Sequence, residues 1–241
     1  MDIPSAQQKE TEYTFKRYEK KYLLSPDAYL RFMEEAGKHL IPDEYHESLV
    51  CSIYYDTDDY SLIRHSIEGP VYKEKLRVRS YGIPEENGTA FVELKKKYKG
   101  VVYKRRVITS PAEAEKWLSG ETPAPSDSQI TKEIDWFLKM NTVSPKIFIA
   151  CDRISWKDRD EETLRFTFDK NIRVREDDLH LYHGDSGTPL LPNGYSLMEI
   201  KIPTAAPIWL ARLLSDEAIF PVSYSKYGTC YKNIIWREEN A

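Results

Sequence analysis

Between Val71 and Ser110 the chain alternates charged and apolar residues so regularly that a period-two backbone is the only simple reading. In Lys75-Leu76-Arg77-Val78-Arg79 every second side chain is a cation, with Leu76 and Val78 between them. Side chains of a strand point alternately to opposite faces, so such a strand has one basic face and one apolar face. The pattern recurs. Glu93, Lys95 and Lys97 share a face against Val92 and Leu94, and Lys104 shares one with Arg106. Arg165, Thr167 and Asp169 oppose Phe166 and Phe168, and Glu199 and Lys201 oppose Met198, Ile200 and Ile202. Arg17, Glu19 and Lys21 form a further such set near the start.

Solvated faces of antiparallel sheets also alternate. They usually mix signs, however, and the stretch 71–110 carries eleven basic residues against four glutamates in a chain whose net charge is −4. A sheet curled with its charged face inward and its apolar face under helices accounts for both observations. Buried cations require counter-charges. Phosphate groups suit them, because Arg offers two parallel hydrogen bonds and Lys a point charge. The carboxylates Glu19, Glu93 and Glu199 are candidates to pair with lysines or to hold a divalent cation bridging phosphates.

The remaining signals fill in the architecture. A strand is predicted over 13–24, then a helix opened by Ser25-Pro26 and stopped at Gly37. Leu49–Tyr55 is predicted as a strand, and 56–60 as a turn leading into a short helix. In that turn Asp56, Asp58 and Asp59 are read as turn chemistry rather than a cation loop. Strands are expected at 71–81, 90–98 and 101–108, then helices at 110–118 and 129–140. A hairpin of 146–157 with 163–175 follows, then a strand at 195–202 and helices at 207–214 and 225–236. The expected class is therefore α+β: about seven or eight strands in one closed antiparallel β-barrel with flanking helices, spanning 13–241 after a leader at 1–12.

Exclusions sharpen this. No apolar run approaches the roughly 20 residues that span a bilayer. The first twelve residues lack the apolar core of a signal peptide. Cys51, Cys151 and Cys230 fit neither a zinc spacing nor a disulfide framework, so they are expected as buried reduced thiols in a cytoplasmic protein. His180-x-x-His183 lies in a polar loop and is read as incidental, because metal sites need convergent ligands. Trp117, Trp136 and Trp209 are expected in the core. Basic residues confined to strands in an acidic chain argue against nucleic acid as a partner.

Several segments in order resemble the VTC domain: Tyr18-Glu19-Lys20-Lys21-Tyr22, Ser52-Ile53-Tyr54-Tyr55-Asp56, Lys75 to Gly82, Phe91 to Lys95, Met198 to Lys201 and Ser225-Lys226-Tyr227. That domain is the polyphosphate polymerase of the vacuolar transporter chaperone, in the triphosphate tunnel (CYTH-like) superfamily. The resemblance implies an eight-stranded tunnel in which Lys21, Arg77, Arg79, Lys95, Arg153, Arg165, Lys201 and Lys226 contact phosphates, with Lys104 an addition. Within that set it points to Lys21, Arg77, Arg79 and Lys226 as catalytic. It implies a divalent metal, Mn2+ or Mg2+, on Glu199, with Glu19 and Glu93 as further candidates. It implies transfer of the terminal phosphoryl group of ATP onto inorganic polyphosphate.

The superfamily's hydrolases carry Glu-x-Glu-x-Lys on the first strand, where this chain has Arg17-x-Glu19-x-Lys21. Losing one carboxylate weakens help for a metal-activated water and leans toward transfer. The expected arrangement has neither a phosphate-sensing domain before Tyr13 nor a membrane segment after Trp236, so any membrane partner is a separate chain. Polymerase, triphosphatase and non-catalytic polyphosphate receptor all remain open at this point.

Overall fold

The computed structural model describes residues 18–99, 101–203 and 205–235. Its centre is one antiparallel sheet. In chain order the strands are β1 (Tyr18–Leu24), β2 (Leu40–Asp56), β3 (Tyr72–Tyr81), β4 (Ala90–Tyr98), β5 (Val101–Thr109), β6 (Ser144–Asp158), β7 (Arg165–Arg175), β8 (Thr188–Pro189) and β9 (Ser196–Ile202). Eight long strands run in the spatial order β1-β9-β7-β6-β2-β3-β4-β5, and two-residue β8 pairs with β7. The helices are α1 (Pro26–Ala36), α2 (Ser61–Ile67), α3 (Pro111–Leu118), α4 (Gln129–Met140), α5 (Ile208–Asp216) and α6 (Lys226–Cys230), the last running into a π-helical turn at Tyr231–Ile235.

The helix starts follow from local chemistry. Ser25 caps α1 by accepting a hydrogen bond from the Ala28 amide at 3.3 Å, ahead of Pro26 in the first turn. Ser110 and Glu113 form a capping box on α3, and Ser128 and Thr131 form one on α4. Asp56 is fully buried, and its carboxylate accepts from the Leu62 and Ile63 amides at 2.9 and 3.0 Å. Its role at the start of α2 is a cap, in keeping with the turn reading.

Three clusters hold the fold together. On the outer face Ile53, Leu76, Val78, Val92 and Leu94 pack under Trp117 of α3 and Ile134 and Phe137 of α4. Further round, Phe166, Phe168, Met198 and Ile200 pack under Phe32 of α1 and Leu210 and Leu213 of α5. Truncating a ring such as Phe32 in the second cluster is expected to cost about 3–5 kcal/mol. The third cluster lies on the inner face. Val50, Ile147, Ile149, Cys151, Ile172, Val174 and Leu197 receive Tyr227, Cys230, Tyr231 and Ile235 from α6 and the π-helical turn. One end of the interior is thus apolar and sealed, and the other is charged.

Four expectations are corrected. The sheet is curled but not closed, because its end strands β1 and β5 do not pair with each other. The edge of β1 is partly taken by the segment before α6, where the Val222 amide donates to the Lys21 carbonyl at 2.7 Å. Curling still brings opposite ends together, as the 3.5 Å ion pair of Lys95 (β4) with Glu19 (β1) shows. Second, β2 begins at Leu40 rather than Leu49. Its polar first half masks the strand, and pairing with β6 survives through an irregularity between Pro42 and Glu47. Third, Trp136 is 66% exposed, on the open side of α4. Fourth, the last helix is regular only over Lys226–Cys230. The leader 1–12, Arg17, Gly100 and Trp236 lie outside the described residues.

All three cysteines are buried and unpaired, as expected. Among the described residues no helix is long and apolar enough to cross a membrane.

Candidate functional site

The strand registers place the expected residues on the concave face. Lys75 stands opposite Lys95, Arg77 opposite Glu93, and Glu93 opposite Arg106 in turn. Lys104 stands opposite Lys95. Across the other half, Lys21 is opposite Glu199, Glu19 opposite Lys201, Lys201 opposite Arg165, and Asp169 opposite Arg153. Ser52 and Tyr54 lie opposite Arg79 and Arg77 and share their face. Lys226 is delivered from α6, whose Ser225 cap accepts from the Gly228 amide at 3.2 Å.

A cavity of about 1940 Å³ opens between β1, β4, β5 and the segment before α6. Lys21, Lys75, Lys95, Lys104 and Arg106 line it. That volume exceeds the roughly 300–1,000 Å³ of ordinary small-molecule pockets, and the cavity runs past the edge of β5 as far as Gln129 and Ile130 of α4. Arg77, Arg79, Arg153 and Lys226 lie off the cavity wall, packed against partners of their own.

Two buried carboxylates organise those partners. Glu93, 1% exposed, accepts from Arg77 Nε and Nη2 at 2.8 and 2.7 Å, from Arg106 Nε at 2.7 Å, and pairs with Lys104 at 2.8 Å. Burial opposes its ionisation, but Arg77, Arg79, Lys104 and Arg106 outweigh burial and hold the carboxyl far below the usual carboxylate range. Asp169, 2% exposed, takes a bidentate grip from Arg153 at 2.6 and 2.8 Å and pairs with Lys226. Burial again opposes ionisation there, and Lys226 with Arg153 overcomes it.

The other carboxylates are looser. Glu199 is 20% exposed and lies 3.7 Å from Lys21, and Glu19 meets Lys95 at 3.5 Å. Beside Glu199 in register stands Thr167, whose buried hydroxyl has no hydrogen-bond partner among the described residues. Arg165 is half exposed and pairs with Asp43 at 3.5 Å.

Among the described inner-face cations, Arg79 and Lys75 make no ion pair with a carboxylate, although Arg79 lies close enough to Glu93 to help hold it ionised. Arg79 is buried, and its Nε donates to Ser52 Oγ at 3.1 Å. Burial and then Arg77 lower its pKa. Lys75 donates to Ser225 Oγ at 2.9 Å, and burial, reinforced by Lys21, Lys73 and Lys95, lowers it to about 8. Tyr54 completes the cluster, accepting from Arg77 Nη1 at 3.0 Å. Burial would raise its pKa, but Arg77, Arg79 and Lys226 bring it down to about 7.

All twelve expected residues therefore lie on, or reach into, one concave face. Asp169, Tyr54 and Lys75 were not singled out as site residues. Asp169 and Lys75 share a face with expected cations by alternation, which is the signal that marks them. Tyr54 sits in an unbroken apolar-aromatic run, Ile53-Tyr54-Tyr55, where alternation marks no face.

Comparison with known proteins bears on the family and the fold. Two curated relatives align over 220 residues each: vacuolar transporter chaperone complex subunit 4 of Trypanosoma cruzi at 25% identity and of Trypanosoma brucei brucei at 23%. Each alignment covers 75% of this chain, which spans only 27–28% of those proteins' length. Among solved structures, a Bacillus halodurans protein provisionally described as an adenylate cyclase superposes with a TM-score of 0.55 at 16% identity, covering 92% of this chain and 96% of that one. That likeness speaks to the fold. The profile of the VTC domain matches residues 16–235, nearly the whole length, and the chain belongs to the VTC domain family.

Proposed function

We propose that this chain is a polyphosphate polymerase domain, moving the terminal phosphoryl group of ATP onto a growing inorganic polyphosphate in its basic interior. The observation that carries the reading is Arg79 together with Lys75: one buried and one half-buried cation, neither of which makes an ion pair with a carboxylate. A linear polyanion supplies the missing charge along the whole face.

The reaction needs little beyond positioning and charge neutralisation. A terminal oxygen of the polyphosphate, already ionised, attacks the γ-phosphorus of ATP. The bond from that phosphorus to the β–γ bridging oxygen breaks, and ADP leaves with the oxygen. Lys21, Lys75, Arg77, Arg79 and Lys226 hold the reacting phosphates. Lys95, Lys104, Arg153, Arg165 and Lys201 hold the rest of the chain. Phosphate oxygens reach Arg77 only by competing with Glu93, so binding exchanges one anion for another at the guanidinium.

A divalent metal fits part of the carboxylate set. Glu199 and Glu19 are loosely paired oxygen donors, and Thr167 offers an unpartnered hydroxyl beside Glu199. An all-oxygen set of one or two carboxylates completed by phosphates suits Mg2+ or Mn2+. Such an ion would neutralise charge developing on the transferred group. Glu93 does not fit, because three cations already saturate it. With Arg17 in place of a first-strand glutamate, few carboxylates are left to activate a water. That balance favours transfer over hydrolysis.

ATP and polyphosphate are the proposed ligands, nucleic acid is not, and a membrane protein is the proposed partner. The buried, unpaired thiols support a reducing, cytoplasmic setting.

The test is incubation of the folded protein with ATP and Mn2+, resolved on a gel for polyphosphate, with Arg77→Ala/Arg79→Ala as control. Long polymer that vanishes in the variant supports the proposal. Orthophosphate alone would point to a triphosphatase. Mutant-sensitive binding of tripolyphosphate without turnover would leave a receptor.

A further inference from the structure

The geometry points to a second metal site, for a late transition metal such as Zn2+, on the loop that follows β7 and outside the basic interior. Its ligands are Asp178, His180 and His183. One ring nitrogen from each histidine and a carboxylate oxygen of Asp178 lie within 4.8 Å of one another. Sequence spacing offered two histidines only. The third ligand arrives because the backbone turns back on itself at Asp178, where φ is 46°.

The loop that carries the ligands is pinned. Arg175, at the end of β7, donates Nε to the Asp178 carbonyl at 3.0 Å and Nη2 to the His180 carbonyl at 2.9 Å. Its Nη1 reaches the Gly184 and Ser186 carbonyls at 3.0 and 3.1 Å. One side chain thus gathers both ends of the ligand-bearing segment.

The ligands also have the outer support that metal-binding histidines require. His180 Nδ1 lies 3.0 Å from Glu115 Oε1 of α3 and 3.1 Å from the Tyr182 hydroxyl. A proton on Nδ1 donated to Glu115 leaves Nε2 as the ligating nitrogen, the usual carboxylate–histidine arrangement. The His183 and Asp178 side chains meet at 2.5 Å, where a cation would take the place of the shared proton. The two imidazole rings sit 4.7 Å apart.

The donor set decides the metal class. Two imidazoles and one carboxylate suit Zn2+, Co2+, Ni2+ or Cu2+, whereas Mg2+ and Ca2+ prefer oxygen. Three protein ligands leave positions for water or for a donor from another molecule. The oxygen-only pair Glu199 and Glu19 belongs to a different metal class, so the two sites can be titrated apart.

The test uses the chain free of any polyhistidine tag. Zn2+ is titrated by calorimetry in competition with a chromophoric chelator, and Co2+ by visible absorption. One equivalent of Zn2+ is expected, weakened more than tenfold in His183→Ala and in Asp178→Asn. Glu115→Gln, which removes only the outer support, is expected to weaken it about tenfold. Glu199→Gln is expected to bind Zn2+ like the parent. The ligands are surface residues, so metal-free melting temperatures should be unchanged and folding failure is separable from lost binding. Absence of Zn2+ binding by the parent, equal affinity in His183→Ala, or loss of the site in Glu199→Gln alone would overturn the assignment.

Discussion

The carboxylates of the inner face fall into two kinds. Glu93 and Asp169 are almost completely buried, and each is gripped by two or three cations. Glu199 and Glu19 are partly exposed and loosely paired at 3.7 and 3.5 Å. All four sit on strands beside lysines and arginines, and a motif reading treats Glu19, Glu93 and Glu199 alike. Their surroundings separate them. The first kind act as counter-ions that aim guanidinium groups, and Glu199, of the second kind, is the proposed metal ligand. The comparison teaches that saturation by neighbours, rather than position in a motif, decides which carboxylate can take a metal.

The largest expected effect breaks the first kind. Glu93→Gln leaves Arg77, Lys104 and Arg106 crowded without an anion. Removing one partner of a buried pair costs about 3–5 kcal/mol, which chemical denaturation would register directly. The same carboxylate makes a pH prediction. Its folded pKa lies below the unfolded value of about 4.3, so its contribution is complete above that value and drains away as pH falls below it. An acid-denaturation profile in which the parent loses stability more steeply below about pH 4 than Glu93→Gln does, Asp169 and Glu199 still contributing in both, is the expected signature.

Arg79→Ala inverts the pattern. Removing a buried cation that makes no ion pair with a carboxylate is expected to leave the melting temperature equal or higher. Tripolyphosphate affinity should fall by the worth of a charged hydrogen bond, about 1.5–3 kcal/mol, or roughly 10- to 150-fold. If Arg79→Ala instead unfolds the protein, the view of Arg79 as a ligand-seeking cation is wrong.

Smaller still is the titration of the interior. Lys75 loses its charge as pH passes about 8, and Tyr54 gains a negative charge above about 7. Both changes disfavour a polyanion, so tripolyphosphate affinity should decline between pH 7 and 9. Tyr54→Phe should remove the earlier part of that decline. The smallest stability effect belongs to the second kind of carboxylate. Glu199→Gln is expected to change stability by less than about 1 kcal/mol, yet to abolish the dependence of phosphate binding on Mn2+.

Much of this was legible beforehand because period-two alternation survives wherever a strand has one charged and one apolar face. Lys75 to Arg79, Glu93 to Lys97 and Arg165 to Asp169 showed their inner faces directly, and α3 and α4 showed their serine caps. Legibility failed where alternation did. The first half of β2 is polar on both sides around Pro42, and Tyr54 lies in a run apolar on both faces. Whether the sheet closes depends on what occupies the edge of β1. Part of that edge is taken by Val222, which is far away in the chain and unreadable from the local sequence. Saturation of Glu93 needs three strands in register, which no single segment reveals.

Interior cations that make no ion pair with a carboxylate, Lys75 and Arg79, are the proposed seat of a phosphate chain. Calorimetric titration of tripolyphosphate into the parent and into Lys75→Ala/Arg79→Ala, with both proteins shown to be folded, tests this most directly. The expected result is a salt-sensitive association in the parent that falls at least a hundredfold in the double variant. Equal affinity in the two proteins would contradict it.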